Sequence, residues 1–243
     1  MFAQNKDAIY QSKNRFIWFA LAFQGGFVNM LGLLSVHRFV SHVTGFAGHF
    51  SEALANLRWF DAIGSFFITV FFLLGAIMSG LFTEVRREKG KAPIYIYSMI
   101  SMSGIFLWLT ILGHFKLFGN FGEPFQNFRD FILLASLSFA CGMQNALFTQ
   151  ASGAVVRTTH LTGITTDLGI GLAKFITGEA SELDLKANRL RMGLIIYFLV
   201  GSLIGTLLIN RMEYDSFLIP TILSLVIAYR LFSVRKELES QSD

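Results

Sequence analysis

The chain has 243 residues, 53% of them hydrophobic and only 15% charged, with a net charge of +4. A soluble domain of average composition carries about 25% charged residues, and the apolar residues here gather in long runs, so the class is an integral membrane protein and an ordinary soluble domain is excluded. The basic excess sits at helix ends, which speaks for orientation in a bilayer rather than for nucleic acid, and the single cysteine, Cys141, excludes an internal disulfide and a paired-cysteine metal site.

Residues 1–15 read as a polar tail with Lys6, Lys13 and Arg15. Phe16 to Val36 forms the first apolar run, 21 residues or about 31 Å of helix, the thickness of the hydrocarbon layer. It carries Gln24, Gly26 and Asn29, and amides at that depth should face protein or a cavity rather than lipid. His37 to Phe60 is broken by Arg38, His42, His49, Glu52 and Arg58 and reads poorly as a span. Asp61 to Phe82 is a second span, followed by a basic loop from Glu84 to Lys91. Pro93 suits the first turn of a third span ending at Gly113. A connector of residues 114–129 leads to the fourth span, Phe131 to Gln150. Thr162 to Ile176 is again short and interrupted, by Asp167 and Lys174. Thr177 to Arg189 reads as a polar loop, Leu190 to Ile209 as the fifth span, Asp215 to Phe232 as the sixth, and 233–243 as a charged tail.

Two linked motifs occur twice in the same order. Gly26-Phe27-Val28-Asn29 precedes Ser41-His42-Val43-Thr44-Gly45, and Gly142-Met143-Gln144-Asn145 precedes Thr159-His160-Leu161-Thr162-Gly163. The common pattern is GxxN, a gap, then [ST]HxTG. It implies an internal duplication covering nearly half the chain per copy, far longer than a solenoid repeat. If the two interrupted segments do not cross, six spans remain, and 15 of the 20 basic residues fall on one side. That side is cytoplasmic by the positive-inside rule, and both termini lie on it. Each copy then holds three spans. The expected fold is therefore all-α: six transmembrane helices as two inverted three-helix repeats, 16–113 and 130–232, each with a short half-helix that is re-entrant or interfacial. Inverted repeats recur in transporters, with sites near the midplane where the repeats meet.

These motifs, together with the stretch from Cys141 to Gly169, resemble the YoaK-like bacterial membrane proteins of the DUF1275 family over residues 16–232. The resemblance implies a six-helix protein of the bacterial inner membrane and no settled substrate.

Function must then be argued from the motif. The seven-residue lead-in, His37 to Val43, spans about 23 Å when extended, and the midplane is only about 15 Å deep. Two half-helices entering from opposite faces could meet centrally, with Thr44 as the first N-cap. Paired helix N-termini, with their unsatisfied N–H groups, favour an anion or a polar solute that offers acceptors. Gly26, Asn29, His42, Thr44 and Gly45, with Gly142, Asn145, His160, Thr162 and Gly163, are the candidate solute-binding residues. His42, His160 or Asp167 would carry a coupled proton. The leading expectation is a transporter or channel for a small polar or anionic solute. The alternatives are a membrane enzyme acting on a lipid or small molecule, and a non-catalytic scaffold subunit. The short segments could equally lie flat at the interface, and the motif could serve packing alone. No cofactor or metal ligand set is expected, since no HxxxH or HExxH spacing, Walker loop or nucleophile elbow is present. The expected surroundings are the lipid bilayer, without nucleic acid; a homodimer stays open.

Overall fold

Long apolar runs fold as helices because lipid offers no partner to a bare N–H or C=O. The computed structural model describes residues 9–152, except 11, and residues 161–239. The expectations for the first eight residues, for the second lead-in with Thr159 and His160, and for the last four residues lie outside the described residues.

Among the described residues every regular element is helical. They are α1 (Ser12–Val36), α2 (Val43–Ala55), α3 (Trp59–Phe82), α4 (Glu84–Glu88), α5 (Tyr95–His114), α6 (Phe128–Ala151), α7 (Leu161–Ile176), α8 (Glu182–Met212) and α9 (Leu218–Glu239). A 3-10 turn, Glu213–Phe217, separates the last two. Five stretches are long and apolar enough to cross a membrane: Asn14–Val36, Trp59–Glu88, Tyr95–His114, Phe128–Ala151 and Glu182–Ser233. The fifth runs 52 residues and takes in α8 and α9 as far as Ser233.

Several boundaries differ from the sequence reading: α1 begins inside the expected N-terminal tail at Ser12, α9 runs through the expected charged tail to Glu239, and three further ends have a local cause or move by a few residues. The segment Thr177–Arg189 is not a loop throughout, because α8 starts at Glu182. A capping box sets that start. Ser181 Oγ accepts the Asp184 N–H at 3.1 Å, and the Asp184 carboxylate accepts the Ser181 N–H at 3.0 Å. Pro93 lies two residues before α5 rather than in its first turn. The fourth helix starts three residues early, at Phe128. There Asp130 Oδ2 takes the N–H groups of Gln126 and Asn127 at 3.0 and 2.8 Å.

The three most extensive contacts between helices are α1 with α8, α3 with α6, and α5 with α9. Each joins the part of the chain before residue 115 to the part after 127, so the two sequence copies interlock and no boundary separates them. Glycines set the first two crossings. A Cβ on Gly26 would collide with the Phe198 carbonyl oxygen, and one on Gly201 with that of Phe23. In the other pair, Gly142 faces the Phe72 carbonyl and Gly75 the Phe139 carbonyl in the same way. Small residues let helix backbones touch, which is how membrane helices associate without a hydrophobic driving force. Each of the four glycines follows its own phenylalanine by three residues: Phe23/Gly26, Phe72/Gly75, Phe139/Gly142, Phe198/Gly201.

Where α1, α6 and α9 meet, amides replace apolar packing. Gln24 Nε2 donates to Ser224 Oγ at 3.0 Å and to Gln144 Oε1 at 3.4 Å, and Gln144 Nε2 donates to the Leu21 carbonyl at 2.9 Å. All three side chains are buried. They cross-link three helices by hydrogen bonds that lipid cannot replace.

Candidate functional site

The chain leaves α1 by reversing. His37 takes the left-handed conformation (φ 56°) after Val36. Its N–H donates to the Leu33 carbonyl at 3.0 Å, and the Arg38 N–H donates to the Gly32 carbonyl at 3.4 Å. These bonds close the helix end in the manner of a Schellman cap. Residues 38–41 then run back alongside α1. Val40 packs where a Cβ on Gly32 would be, which explains that glycine. Asn29 Oδ1 accepts both the Val40 N–H at 3.3 Å and the Ser41 hydroxyl at 3.2 Å. Ser138 Oγ of α6 donates to the Val40 carbonyl at 3.5 Å. Between Val36 and Asn29 the chain has retreated seven residues, about 10 Å along the α1 axis.

At that depth α2 begins. The helix starts at Val43, one residue before the expected N-cap. His42 holds the cap position without a side-chain cap bond, and its carbonyl accepts the Phe46 N–H at 3.2 Å. The imidazole instead folds over Gly45, where a Cβ would lie 2.5 Å from Nδ1. The Phe39 ring meets the imidazole edge-on at 6.5 Å. From there α2 returns toward the end it came from, packed against α3, with Phe50 beside Phe66 at 6.2 Å and Glu52 paired with Arg58. The second short helix, α7, packs on α8 through Gly171 against Asn188 and Lys174 against Asp184 at 3.1 Å. Its described residues begin at Leu161.

The start of α2 and the first described residues of α7 converge. One pocket of about 350 Å³ is lined by Asn29, Phe39, Ser41, His42, Val43, Thr44, Leu161, Thr162 and Phe198. Phe198 lies at the middle of α8, and Asn29 is four residues, about 6 Å, beyond the middle of the Asn14–Val36 run. The pocket offers the carboxamide of Asn29, three hydroxyls and the imidazole of His42 against an apolar wall of Phe39, Val43, Leu161 and Phe198. Among the described residues no carboxylate, lysine or arginine lines it. The start of α2 brings the positive end of a helix dipole to it.

The candidate residues thus divide. Asn29, His42, Thr44 and Thr162 reach the pocket, and Gly45 shapes it by receiving the His42 ring. Gly26 and Gly142 do not line it and serve as helix crossings, Gly26 against Phe198 of the pocket wall and Gly142 against Phe72. Asn145 is buried, and neither amide atom has a hydrogen-bond partner among the described residues. Gly163 follows Thr162, with nothing within 4 Å of its would-be Cβ among the described residues. Asp167 is exposed further along α7. Among the described residues no group of three His, Cys, Asp or Glu side chains could hold a metal ion. The motif-based reasoning missed Ser41, Val43, Leu161, Phe39 and Phe198. Ser41, Val43 and Leu161 sit inside the repeated motif, so their signal was present.

Apolar helices of spanning length, cross-linked by buried amides and glycine crossings, define the class: a helical membrane protein. Within that class, a family model described as a protein of unknown function, DUF1275, matches residues 17–230. The chain belongs to this family, as its paired motifs suggested. No curated protein and no solved structure matches it.

Proposed function

We propose that this protein is a transporter or channel for a small polar or anionic solute, with the pocket between the starts of α2 and α7 as its central site. The observation that carries the reading is the convergence of Val43 and Thr44 with Leu161 and Thr162, from two distant stretches bearing the same motif, on one cavity at mid-helix depth. Helix N-termini aimed at a cavity between repeats are the transporter solution to binding a solute without a resident counter-charge.

The reading takes the Glu182–Ser233 stretch as two crossings, which gives six. The left-handed Glu213 (φ 50°) and the 3-10 turn support this, because they let α9 turn back and pack on α5. Three crossings per copy then makes the copies an inverted pair. The exchange of partners supports that arrangement: α1 lies on α8 as α6 lies on α3, and α2 lies on α3 as α7 lies on α8. The retreat of residues 38–41 along α1 supports the re-entrant form of the first half-helix over one lying flat. In this reading the halves are 16–113 and 130–232, the termini are cytoplasmic and the membrane is the bacterial inner one. His42 is the candidate proton carrier within the pocket, and Asp167 and His160 are the others.

The test is flux in proteoliposomes made from the full chain, screening monovalent inorganic anions, small carboxylates and small neutral polar solutes. We expect one class to pass, and His42→Ala and Thr162→Val each to lower its rate at least roughly tenfold while unfolding temperature stays unchanged. Flux of every class at the rate of empty liposomes, or a transported solute indifferent to both variants, would sink the proposal.

A further inference from the structure

Away from the central pocket, α8 and α9 diverge from the turn that joins them and make almost no contact along their length. Between them α1 is left uncovered among the described residues. A groove of about 470 Å³ lies there, lined by Arg15, Phe16, Phe19, Ala20 and Phe23 of α1, Tyr197 of α8 and Leu223 of α9. Its wall is aromatic and flat, since Phe19 and Tyr197 stack at 4.7 Å with 5° between their planes. From Arg15 to Phe23 it extends about 12 Å along the α1 axis.

One end of this apolar groove is cationic. Arg15 lines it directly. The Arg230 guanidinium of α9 sits 5.8 Å over the ring of Phe16, itself part of the lining. Both arginines are exposed, and neither forms an ion pair among the described residues. The two charges come from different helices and are held at one level by Phe16. A groove apolar along its length and doubly cationic at its mouth complements one chemistry, an acyl chain joined to a phosphate.

We infer that this groove is a fixed site for an anionic phospholipid, with an acyl chain along Phe19, Phe23, Tyr197 and Leu223 and the phosphodiester between Arg15 and Arg230. Guanidinium groups suit this task because their fork of N–H donors matches two phosphate oxygens at once. Basic pockets between membrane helices near the headgroup level select anionic lipids in this way. Phosphate supplies the contact to Arg15, and the anionic charge of the whole headgroup distinguishes such a lipid from a zwitterionic one of the same chain length. The inference needs only the membrane class of the protein and stands whether or not a solute crosses it.

The test is native mass spectrometry of the full-length protein released from mixed micelles holding equal phosphatidylglycerol and phosphatidylcholine of identical chains. We expect wild type to retain phosphatidylglycerol over phosphatidylcholine by roughly tenfold. Arg15→Gln with Arg230→Gln should bring the two lipids to near-equal retention, and Leu223→Trp, which fills the groove, should reduce both. If the double variant does not yield folded protein, Arg230→Gln alone should still lower the preference. Equal retention of the two lipids by wild type overturns the inference. So does displacement of bound lipid by millimolar glycerol phosphate, which would mark an open anion site with no acyl contact.

Discussion

In both copies of GxxN the glycine does the same thing. Gly26 meets the Phe198 carbonyl and Gly142 meets that of Phe72, and each partner helix returns a glycine of its own. The asparagines part company. Asn29, partly buried, holds the returning chain through Val40 and Ser41, whereas the more deeply buried Asn145 side chain has no hydrogen-bond partner among the described residues. One four-residue motif therefore carries two separable functions. Its first residue specifies how closely two helices approach, and its last positions a loop only where a loop is present to accept it. The HxTG copies show a similar split, with Gly45 under an imidazole and Gly163 uncrowded among the described residues.

The largest expected effect tests the shared half of this comparison. Gly26→Val and Gly142→Val each push a side chain into a backbone carbonyl that cannot step aside, at a cost of about 3 kcal/mol or more. Thermal unfolding in detergent should show matched losses, and a difference beyond about 1 kcal/mol would break the equivalence of the crossings. The divergent half comes next. Asn29→Ala removes an acceptor shared by two donors and should cost about 1–2 kcal/mol, while Asn145→Leu removes an unsatisfied buried amide and should be neutral or stabilising. Equal losses at the two asparagines would mean that Asn145 has a partner after all. The smallest effect is at the second motif. Gly163→Ala should stabilise by up to about 1 kcal/mol through helix propensity. At Gly45 the same change displaces the His42 ring, which offsets that gain. The sign of the difference between the two alanine variants reads out whether the two half-helix starts are built alike.

Much of the frame was legible in the sequence. The ends of the apolar runs fall close to the helix ends, because the length of an apolar run and the thickness of a bilayer constrain one another. The first motif marked where α2 begins, to within one residue. The start of α8 was missed although Ser181-Glu-Leu-Asp184 is a capping signal; the charged residues around it read as loop. Which helices would pair was not legible. The phenylalanine–glycine spacing that marks all four crossing points is short, and in a chain with 27 phenylalanines and 22 glycines it has no contrast until the contacts are known. The return of residues 38–41 depends on a left-handed histidine and on an amide 11 residues upstream, neither of which leaves a periodic trace. For that reason the motif predicted Asn29 at the site but not its partner atoms.

The glycine crossings also have a mechanical meaning. Two helices seated backbone against backbone have no side chain between them that can yield, so α1 with α8, and α3 with α6, act as two stiff bars. The link between the bars is softer: the amide ends of Gln24 and Gln144, each at the tip of a jointed side chain. The pocket lies between the bars. Asn29 and Phe198 belong to one bar, while α2, with His42 and Thr44 at its tip, rides on the other. A tilt of one bar against the other therefore acts as a lever whose travel is read directly as the width of the gap between Phe198 and Thr44.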